Sequence, residues 1–599
     1  MGIFKDKKSI FFYRRQSVLV VFFILMALLI SGRLFYLQVF KGNYYEVVAS
    51  DQHRIEQVLL QRRGEVFTHN SLGDELMPLI VNKKLSLVYA VPSEIINPRQ
   101  TAQKLATIFE DINGECQELL PAEASEELIN KCQLRKELED DIYNKVSKEN
   151  DPYEPIRNKV DEATVNLIRA SNVVGIYFED EWVRYYSEKE RAAQISGFLG
   201  YNRDGQVGQY GVEGYFDEEL TGEAGKILGD KDLFGRIIPV GETELTQAQD
   251  GENIVLTLDK TVQDKAYEII KQAVEDYGAE NGSIIVMEPQ SGKIKAMVGY
   301  PSFDPNNYNE VENIEVYKNF NISEPYEPGS IFKIITMAIG LDSGAVEVDD
   351  KYFDEGFVQV GKYKINNADN EKYGEVSMVE ILENSINSGA VHIAFETGKD
   401  TFNNYIEKFG FNEKNNIGLV GEILGNFSSL DKRGDIYLAT ASYGQGITAT
   451  PLQMAAAMST IVNNGKLVKP LIIEKIGEQT FAQETVAVQV ISPKTADIVK
   501  AMMVSVVKNG HGGQAGVDGY YIGGKTGTAE IASVIGGYSN ENNHSFIGFG
   551  PLDNTKFVVM VKLANPKWGR FSAVTAAPTF AKMASFLLQY YKIAPEIEL

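Results

Sequence analysis

The chain has 599 residues, of which 44% are hydrophobic and 23% charged, so its composition is that of a globular protein too long for one domain. A formal charge of −24 at pH 7, with no basic stripe beyond the N-terminal tail, argues against nucleic acid or an anionic membrane surface as a partner. Five scattered histidines and two cysteines give no metal-ligand spacing, so we expect neither a metal nor another cofactor.

The first element in the chain is an apolar segment. Residues 18–30 are all apolar, and residues 34–37 extend the stretch to roughly the ~20 residues that cross a bilayer. Five basic residues against one acidic residue precede it, which predicts a cytoplasmic tail at 1–16, a membrane helix at 17–40 and an extracytoplasmic remainder. A cleaved signal peptide is the alternative, but residues 31–33 offer no small-x-small cleavage site. We therefore expect a single-pass protein of the cytoplasmic (inner) membrane.

Residues 41–250 mix short strands with helices, and residues 121–150 form an acidic, helix-prone insertion. Cys116 and Cys132 lie sixteen positions apart in this region. In an exported chain they could form a disulfide that closes a short loop and contributes ~3 kcal/mol. Two reduced and buried thiols are the alternative.

The pattern changes near residue 254. Apolar strands at 282–287 and 293–298 flank a Pro-Gln-Ser-Gly turn and predict a hairpin. Long helical patterns follow, strands return at 521–524, 545–550 and 557–563, and a last helix is expected from Pro578 to about Tyr591. A sheet built from both ends of this region, with helices between and after its strands, predicts an α+β domain over residues 251–599.

Ser330 is the strongest candidate for a nucleophile. Pro328 and Gly329 mark a turn before the apolar run 331–341, which places Ser330 at the first turn of a buried helix. Lys333, three residues later, shares its helix face and could serve as its base. Two other Ser-x-x-Lys spacings, at Ser429 and Ser505, lie in less favourable contexts.

Two further motifs strengthen this assignment. Ser385-Ile386-Asn387 is the only Ser-x-Asn in the chain, and residues 525–528 contain its only Lys-Thr-Gly. The order and spacing of the three motifs resemble those of penicillin-binding proteins and serine β-lactamases.

The resemblance covers most of the chain and is to a class B penicillin-binding protein, a monofunctional peptidoglycan D,D-transpeptidase. It includes the segments 33–39, 63–66, 197–200, 208–213, 220–222, 256–259, 291–297 and 443–447. Residues 68–71 depart from the family's Asp-Arg-Asn-Gly turn, and residues 184–187 depart from its Arg-x-Tyr-Pro. Both departures lie outside the three catalytic motifs.

This resemblance implies an elongated, mixed α/β pedestal of the dimerisation type at 41–250. It also implies a β-lactamase-like transpeptidase domain at 251–599, with an antiparallel sheet flanked by helices. The implied partners are stem peptides ending in D-Ala-D-Ala, β-lactams as covalent inhibitors, and a membrane glycosyltransferase bound through the membrane helix and pedestal.

Site roles follow from the same resemblance. Lys333 would take the proton of Ser330, which attacks the penultimate D-Ala carbonyl. Ser385 would relay a proton to the leaving amine, and Asn387 would bind the substrate amide and hold Lys333 in place.

The Lys-Thr-Gly motif would hold the other end of the substrate. Lys525 and the hydroxyls of Thr526 and Thr528 would bind the terminal carboxylate, and Gly527 would leave room for a substrate strand. The backbone N–H groups of Ser330 and Thr528 would form the oxyanion hole.

Several alternatives remain. Residues 323–330 and 385–389 look more like septal than elongation enzymes, and a catalytically silent scaffold is the non-enzyme possibility. A bifunctional glycosyltransferase would need a glutamate motif that residues 179–182 are too isolated to supply. The several membrane spans and protease motif of a β-lactam sensor are not evident, and a secreted β-lactamase would be much shorter. The acceptor amine could come from diaminopimelate or lysine.

Overall fold

The computed structural model describes residues 7–45, 54–59, 61–70, 73–110, 116, 126–149, 151–203, 205–230, 244–481, 487–532 and 537–597. The chain divides into two compact units, residues 1–62 with 221–251 and residues 63–220 with 252–599.

The first unit contains the predicted membrane helix. A helix at Lys7–Phe35 continues into a turn at Tyr36–Phe40, and Gln16–Phe40 is long and apolar enough to cross a membrane. The same unit has a three-stranded antiparallel sheet in which Gly225–Asp230 pairs with Arg54–Leu59 and with Glu244–Thr246.

In the second unit, a seven-stranded sheet combines strands from both sides of the boundary predicted at residue 251. Ile254–Asp259 pairs in parallel with Val66–Asn70 and antiparallel with Ile473–Ile476. The remaining strands are Gly73–Ala90, Glu154–Val160, Ile176–Tyr186 and Gln479–Thr480. Because this sheet is shared, residues 63–220 and 252–599 form one unit.

The helices of the first part of this unit pack around a small core of their own. They lie at Pro98–Glu110, Glu126–Val146 and Glu162–Ala170, and Leu105, Ile142 and Ile168 are buried together. The second of these helices lies within the predicted insertion. Cys132, on this helix, forms a disulfide with Cys116, and their Cα atoms are 5.5 Å apart.

A five-stranded antiparallel sheet organises the rest of the unit. Its order is Ile294–Tyr300, Asn281–Met287, Phe557–Ala564, Tyr538–Gly550 and Gly523–Ala532. The predicted hairpin and the predicted α+β class are confirmed. The first of the late strands begins at Gly523 rather than at 521, where the N–H of Tyr521 instead donates to the Glu596 carboxylate at 2.8 Å.

Alternate residues of this sheet enter two cores, as strand geometry requires. Ile285, Ile547 and Met560 face one core together with the helix Pro451–Val462. Ile284, Phe546 and Val561 face the other, with the helices Lys260–Tyr277 and Ala576–Tyr590. The last helix begins at Ala576, two residues before the predicted start at Pro578. Pro578 is tolerated within its first turn because a proline there costs no intrahelical hydrogen bond.

The described residues form further elements. Their other α-helices include Ala193–Ser196, Gly211–Tyr215, Asp217–Thr221, Phe320–Ser323, Lys333–Asp342, Met378–Glu383, Asn387–Thr397, Lys399–Lys408, Asp435–Ser442 and Pro493–Asn509. The short paired strands are Phe198–Asn202 with Gly205–Gln209, Lys351–Asp354 with Gly374–Ser377, Phe357–Val360 with Tyr363–Asn366, and Lys466–Leu467 with Val488–Gln489.

Candidate active site

Ser330 lies on a short 3-10 turn, Gly329–Phe332, that leads directly into the buried helix Lys333–Asp342. The sequence prediction of a serine at the start of a buried helix is therefore confirmed. The N–H of Gly329 donates to the carbonyl of Gly444 at 3.0 Å. A Cβ on Gly444 would lie 2.2 Å from the Gly329 carbonyl oxygen, so only glycine allows the two turns to meet.

Lys333 is buried one helical turn beyond Ser330, with 1% of its surface exposed. Its Nζ donates to the Ser385 carbonyl at 2.5 Å and to the Ser385 hydroxyl at 3.2 Å. Burial and the nearby charge of Lys525 hold the pKa of Lys333 well below the ordinary lysine value. A lysine in this state is available as a neutral base.

Ser385 occupies the turn between the helices Met378–Glu383 and Asn387–Thr397. Its φ of +55° lies in the left-handed region that residues other than glycine rarely adopt. The turn is held by the N–H of Ile386, which donates to the Ile381 carbonyl at 2.9 Å. This conformation accompanies the two contacts that Ser385 makes with Lys333.

Asn387 begins the next helix and lines the same cavity as Ser330. Its side-chain amide donates to the backbone carbonyl of Asn366 at 2.9 Å. Among the described residues, no hydrogen bond joins Asn387 to Lys333, so the tie implied by the family resemblance is absent. Binding of a substrate amide by Asn387 stays a prediction.

Lys525 lies on Gly523–Ala532, the outermost strand of the five-stranded sheet. The side chain is fully buried, and its Nζ donates to the carbonyl and the hydroxyl of Thr526, each at 3.3 Å. Burial lowers the pKa of Lys525 to about 7. The hydroxyl of Thr526 accepts from Lys525 and can still donate its own proton into the cavity.

Gly527 is required for packing. A Cβ here would stand 2.5 Å from the Ser545 hydroxyl, 2.9 Å from Ile331 Cγ2 and 3.0 Å from the Pro328 carbonyl. The missing side chain therefore lets the strand approach the turn that carries Ser330. The family resemblance implied that a glycine here leaves room for substrate, whereas in the structure a side chain at position 527 would collide with the protein's own neighbouring residues.

Thr528 also has a partner that the sequence did not indicate. Its hydroxyl accepts from the backbone N–H of Ser572 at 3.1 Å and lies 3.1 Å from the Ser572 hydroxyl. Ser572 belongs to residues 570–573, which line the cavity just before the last helix. The motif strand is thus fastened to this segment.

The three motifs meet at one cavity of about 710 Å³. Ser330, Ser385, Asn387, Thr526 and Thr528 line it, while Lys333, Lys525 and Gly527 lie directly behind its wall. The three motifs do not include the other lining residues: Lys364, Ile365, Asn366, Asn367, Ala368, Glu371, Tyr373, Tyr443, Gln445, His511, Glu530, Asn542, Arg570, Phe571, Ser572 and Ala573. Of these, only Tyr443 and Gln445 belonged to a segment that the family resemblance had indicated.

The cavity carries charges of both signs. Lys364 and Arg570 line it together with Glu371 and Glu530, and His511 is also part of the wall. Burial and the positive charge of Lys525 lower the pKa of His511, so it adds no charge at neutral pH. Within the described residues, no group of three His, Cys, Asp or Glu side chains could hold a metal ion.

Neither of the other Ser-x-x-Lys serines belongs to this cavity. The hydroxyl of Ser505 donates to Glu383, and Ser429 lies in a short turn at Ser428–Asp431. Of the three Ser-x-x-Lys serines, Ser330 is the one that lines this cavity, and its role as nucleophile stays a prediction.

Two family models match this chain. The model described as "Penicillin binding protein transpeptidase domain" matches residues 282–585, and "Penicillin-binding Protein dimerisation domain" matches residues 61–256. "Stage V sporulation protein D" of Bacillus subtilis is 31% identical and covers 94% of this chain and 84% of its own length.

Two further comparisons agree. "Peptidoglycan D,D-transpeptidase FtsI" of Escherichia coli K12 is 30% identical, covering 74% of this chain and 73% of its own. The crystal structure of penicillin-binding protein 3 from Mycobacterium tuberculosis complexed with aztreonam superposes with a TM-score of 0.62. It is 28% identical and covers 70% of this chain and 92% of its own.

Proposed function

Because the chain belongs to the class B penicillin-binding proteins, we propose that it is a peptidoglycan D,D-transpeptidase that acts through an acyl-enzyme on Ser330. Its donor substrate is a stem peptide ending in D-Ala-D-Ala, and β-lactams acylate the same serine. The observation that carries the assignment is the buried Lys333, one helical turn from Ser330 and bonded through Nζ to Ser385.

The reaction begins with proton transfer. Neutral Lys333 takes the proton of the Ser330 hydroxyl, and the serine oxygen attacks the carbonyl carbon of the penultimate D-Ala. Negative charge then develops on the carbonyl oxygen, which the backbone N–H groups of Ser330 and Thr528 stabilise. Loss of one such donor typically raises the barrier by ~3 kcal/mol.

Collapse of this intermediate breaks the peptide bond. The proton taken from Ser330 passes from Lys333 through the Ser385 hydroxyl, 3.2 Å away, to the leaving nitrogen of the terminal D-Ala. An amine from a neighbouring stem peptide then attacks the acyl-enzyme, and its proton returns to Ser330 along the same path. The product is a cross-link, and the enzyme is regenerated.

The terminal carboxylate of the donor needs a cationic partner. Lys525, with a pKa of about 7, is partly protonated at neutral pH and orients the Thr526 hydroxyl through its 3.3 Å contact. The donor peptide lies along the outer edge of Gly523–Ala532, the last strand of the sheet, as an added strand.

The cellular setting we favour is the division septum, because the relatives include the Escherichia coli enzyme named FtsI. The Bacillus subtilis relative is named as a sporulation protein, which supports cross-linking of a sporulation wall as a second setting. Side-wall elongation is the remaining alternative. Midcell fluorescence of a tagged copy in growing cells supports the first setting, signal only in sporulating cells the second, and dispersed signal the third.

Membrane placement follows from the apolar helix at Gln16–Phe40. We propose a cytoplasmic N-terminus, a catalytic region outside the cytoplasmic membrane, and a partner glycosyltransferase that binds the membrane helix and residues 41–250. We also propose that residues 41–250 serve as a pedestal and residues 251–599 as the transpeptidase domain, although one sheet takes strands from both. The family models matched at 61–256 and 282–585 support this division. Protease accessibility of residues beyond 40 in intact protoplasts tests the orientation.

Intact-protein mass spectrometry after incubation with benzylpenicillin tests the nucleophile. The wild type should gain one penicilloyl group, and Ser330→Ala should gain none. Ser429→Ala is the matched control, because it removes a serine with the same spacing to a lysine and should still be labelled. Labelling of Ser330→Ala, or no labelling of a folded wild type, would overturn the assignment.

A further inference from the structure

The side chain of Asp354 is completely buried beside the catalytic cavity, at the end of the short strand Lys351–Asp354. We propose that Asp354 is a positioning residue for acyl transfer, whose carboxylate fastens one wall of the cavity to the helix that begins at Asn387. The inference rests on the proposed function, since it concerns the geometry around Ser330. It extends that function to a residue outside the three motifs.

The carboxylate accepts hydrogen bonds from four donors. The hydroxyl of Ser388 donates to Oδ1 at 2.5 Å, and the N–H of Gly356 donates to the same oxygen at 3.0 Å. The N–H of Tyr373 donates to Oδ2 at 2.9 Å, and the Asn367 amide lies 3.0 and 2.9 Å from the two oxygens. One side chain thus joins a turn, a cavity wall and a helix.

These donors belong to the parts of the protein that shape the site. Asn366, Asn367 and Tyr373 line the cavity, and Ser388 directly follows Asn387. Two further bonds connect this wall and this helix: the Ser388 N–H donates to the Asn367 side-chain oxygen at 3.1 Å, and the Asn387 amide donates to the Asn366 carbonyl at 2.9 Å. We call these bonds, together with those of Asp354, the junction. The orientation of Asn387 therefore depends on a wall that Asp354 holds.

The arrangement requires a charged acceptor. A carboxylate offers two oxygens that can each accept more than one bond, whereas an asparagine would turn an N–H2 group towards donors. Although burial alone would raise it, the bonds from Ser388, Tyr373 and Asn367 hold the pKa of Asp354 below its ordinary value. The residue is thus ionised at neutral pH, and its charge strengthens each bond.

The test compares Asp354→Asn with Glu355→Gln in the full-length protein in detergent. Glu355 is the adjacent, exposed carboxylate, so the control makes the same change of charge without touching the junction. Acylation by a fluorescent penicillin is followed to completion, which gives a rate constant and a final number of penicillins bound per protein. Amide hydrogen exchange within residues 364–373 reports how firmly this part of the cavity wall is held.

Positioning and a merely structural role change different quantities. If Asp354 positions the site, Asp354→Asn should slow acylation at least tenfold while the final labelling stays near one per protein. Exchange should quicken within 364–373, and Glu355→Gln should stay within twofold of wild type. A merely structural role would lower the labelled fraction and leave the rate constant of the remaining molecules unchanged, which would overturn the proposal.

If Asp354→Asn does not fold, Ser388→Ala tests the positioning role instead, because it removes one hydrogen bond to Asp354. It should slow acylation several-fold at full labelling, and a rate within twofold of wild type would overturn the inference. Loss of labelling in the wild type itself would instead count against the proposed function. The two failures are therefore distinguishable.

Discussion

Lys525→Met should make the protein more stable while it impairs catalysis. Lys525 is fully buried, and its amine donates to the carbonyl and the hydroxyl of Thr526, both at 3.3 Å. Among the described residues no carboxylate forms an ion pair with it. The folded protein therefore carries a buried cation that is poorly compensated, which is a known way for an active site to reduce stability.

The magnitude follows from the pKa. A change from 10.5 in an ordinary lysine to about 7 in the folded protein corresponds to roughly 5 kcal/mol. Methionine removes this penalty but also removes the two hydrogen bonds from Nζ to Thr526, at a cost of about 1–2 kcal/mol. We expect a net gain of roughly 3 kcal/mol at or below pH 7.

The gain should depend on pH in a defined direction. Between pH 7 and 10.5 the unfolded wild type binds more protons at this lysine than the folded form, so wild-type stability rises with pH. The advantage of Lys525→Met is therefore greatest below pH 7, vanishes near about pH 9 and reverses by pH 10, where only the cost of the lost hydrogen bonds remains. Thermal melting of the full-length proteins in detergent at pH 6, 8 and 10 measures it.

Lys562→Met is the matched control, because Lys562 is a buried lysine of the same sheet that forms an ion pair with Glu324. Removing it leaves a carboxylate unpaired, so this variant should melt below the wild type. If Lys525→Met also melted below the wild type at pH 6, or if its advantage did not change with pH, the reasoning about Lys525 would be wrong.

Two further predictions concern acylation by benzylpenicillin. The rate constant for acylation should first rise with pH as Lys333 loses its proton, because the pKa of Lys333 lies well below the ordinary lysine value of 10.5. It should then fall above about pH 7, because Lys525 loses the charge that binds a carboxylate. Stopped-flow pH profiles test this, and a rate that climbs steadily to pH 10 would contradict it. Gly527→Ala should slow acylation and lower the melting temperature. Its Cβ would lie 3.0 Å from the Pro328 carbonyl oxygen, beside the turn that carries Ser330, and such overpacking costs about 1–3 kcal/mol. Gly513→Ala, whose Cβ would meet nothing closer than 3.8 Å, should match the wild type, and equal rates for both variants would refute the packing argument.

Local signals in the sequence were enough for the elements that depend on neighbouring residues. The apolar run that became Gln16–Phe40, the hairpin through residues 288–293 and the turn before Ser330 each show a period, a charge bias or a turn residue within a short window. The motif spacing also indicated which serine to choose, and the cavity confirms that Ser330, Ser385 and Thr526 come together.

The contacts that tune the site could not be predicted in this way. Lys333 meets Ser385 across 52 residues of chain, Thr528 meets Ser572 across 44, and Asp354 gathers donors from as far as Ser388. No motif marked two of these partners, Asp354 and Ser572.

Residue type and periodicity were sufficient to predict the apolar N-terminal helix and the class of fold, and the three motifs indicated the family by resemblance. Tertiary structure alone decided that Gly527 is needed for packing, that Asn387 bonds to Asn366 rather than to Lys333, and that Lys525 titrates near neutral pH. Burial and hydrogen bonding depend on which distant segments the folded chain brings within a few ångströms, and short-range patterns do not encode that.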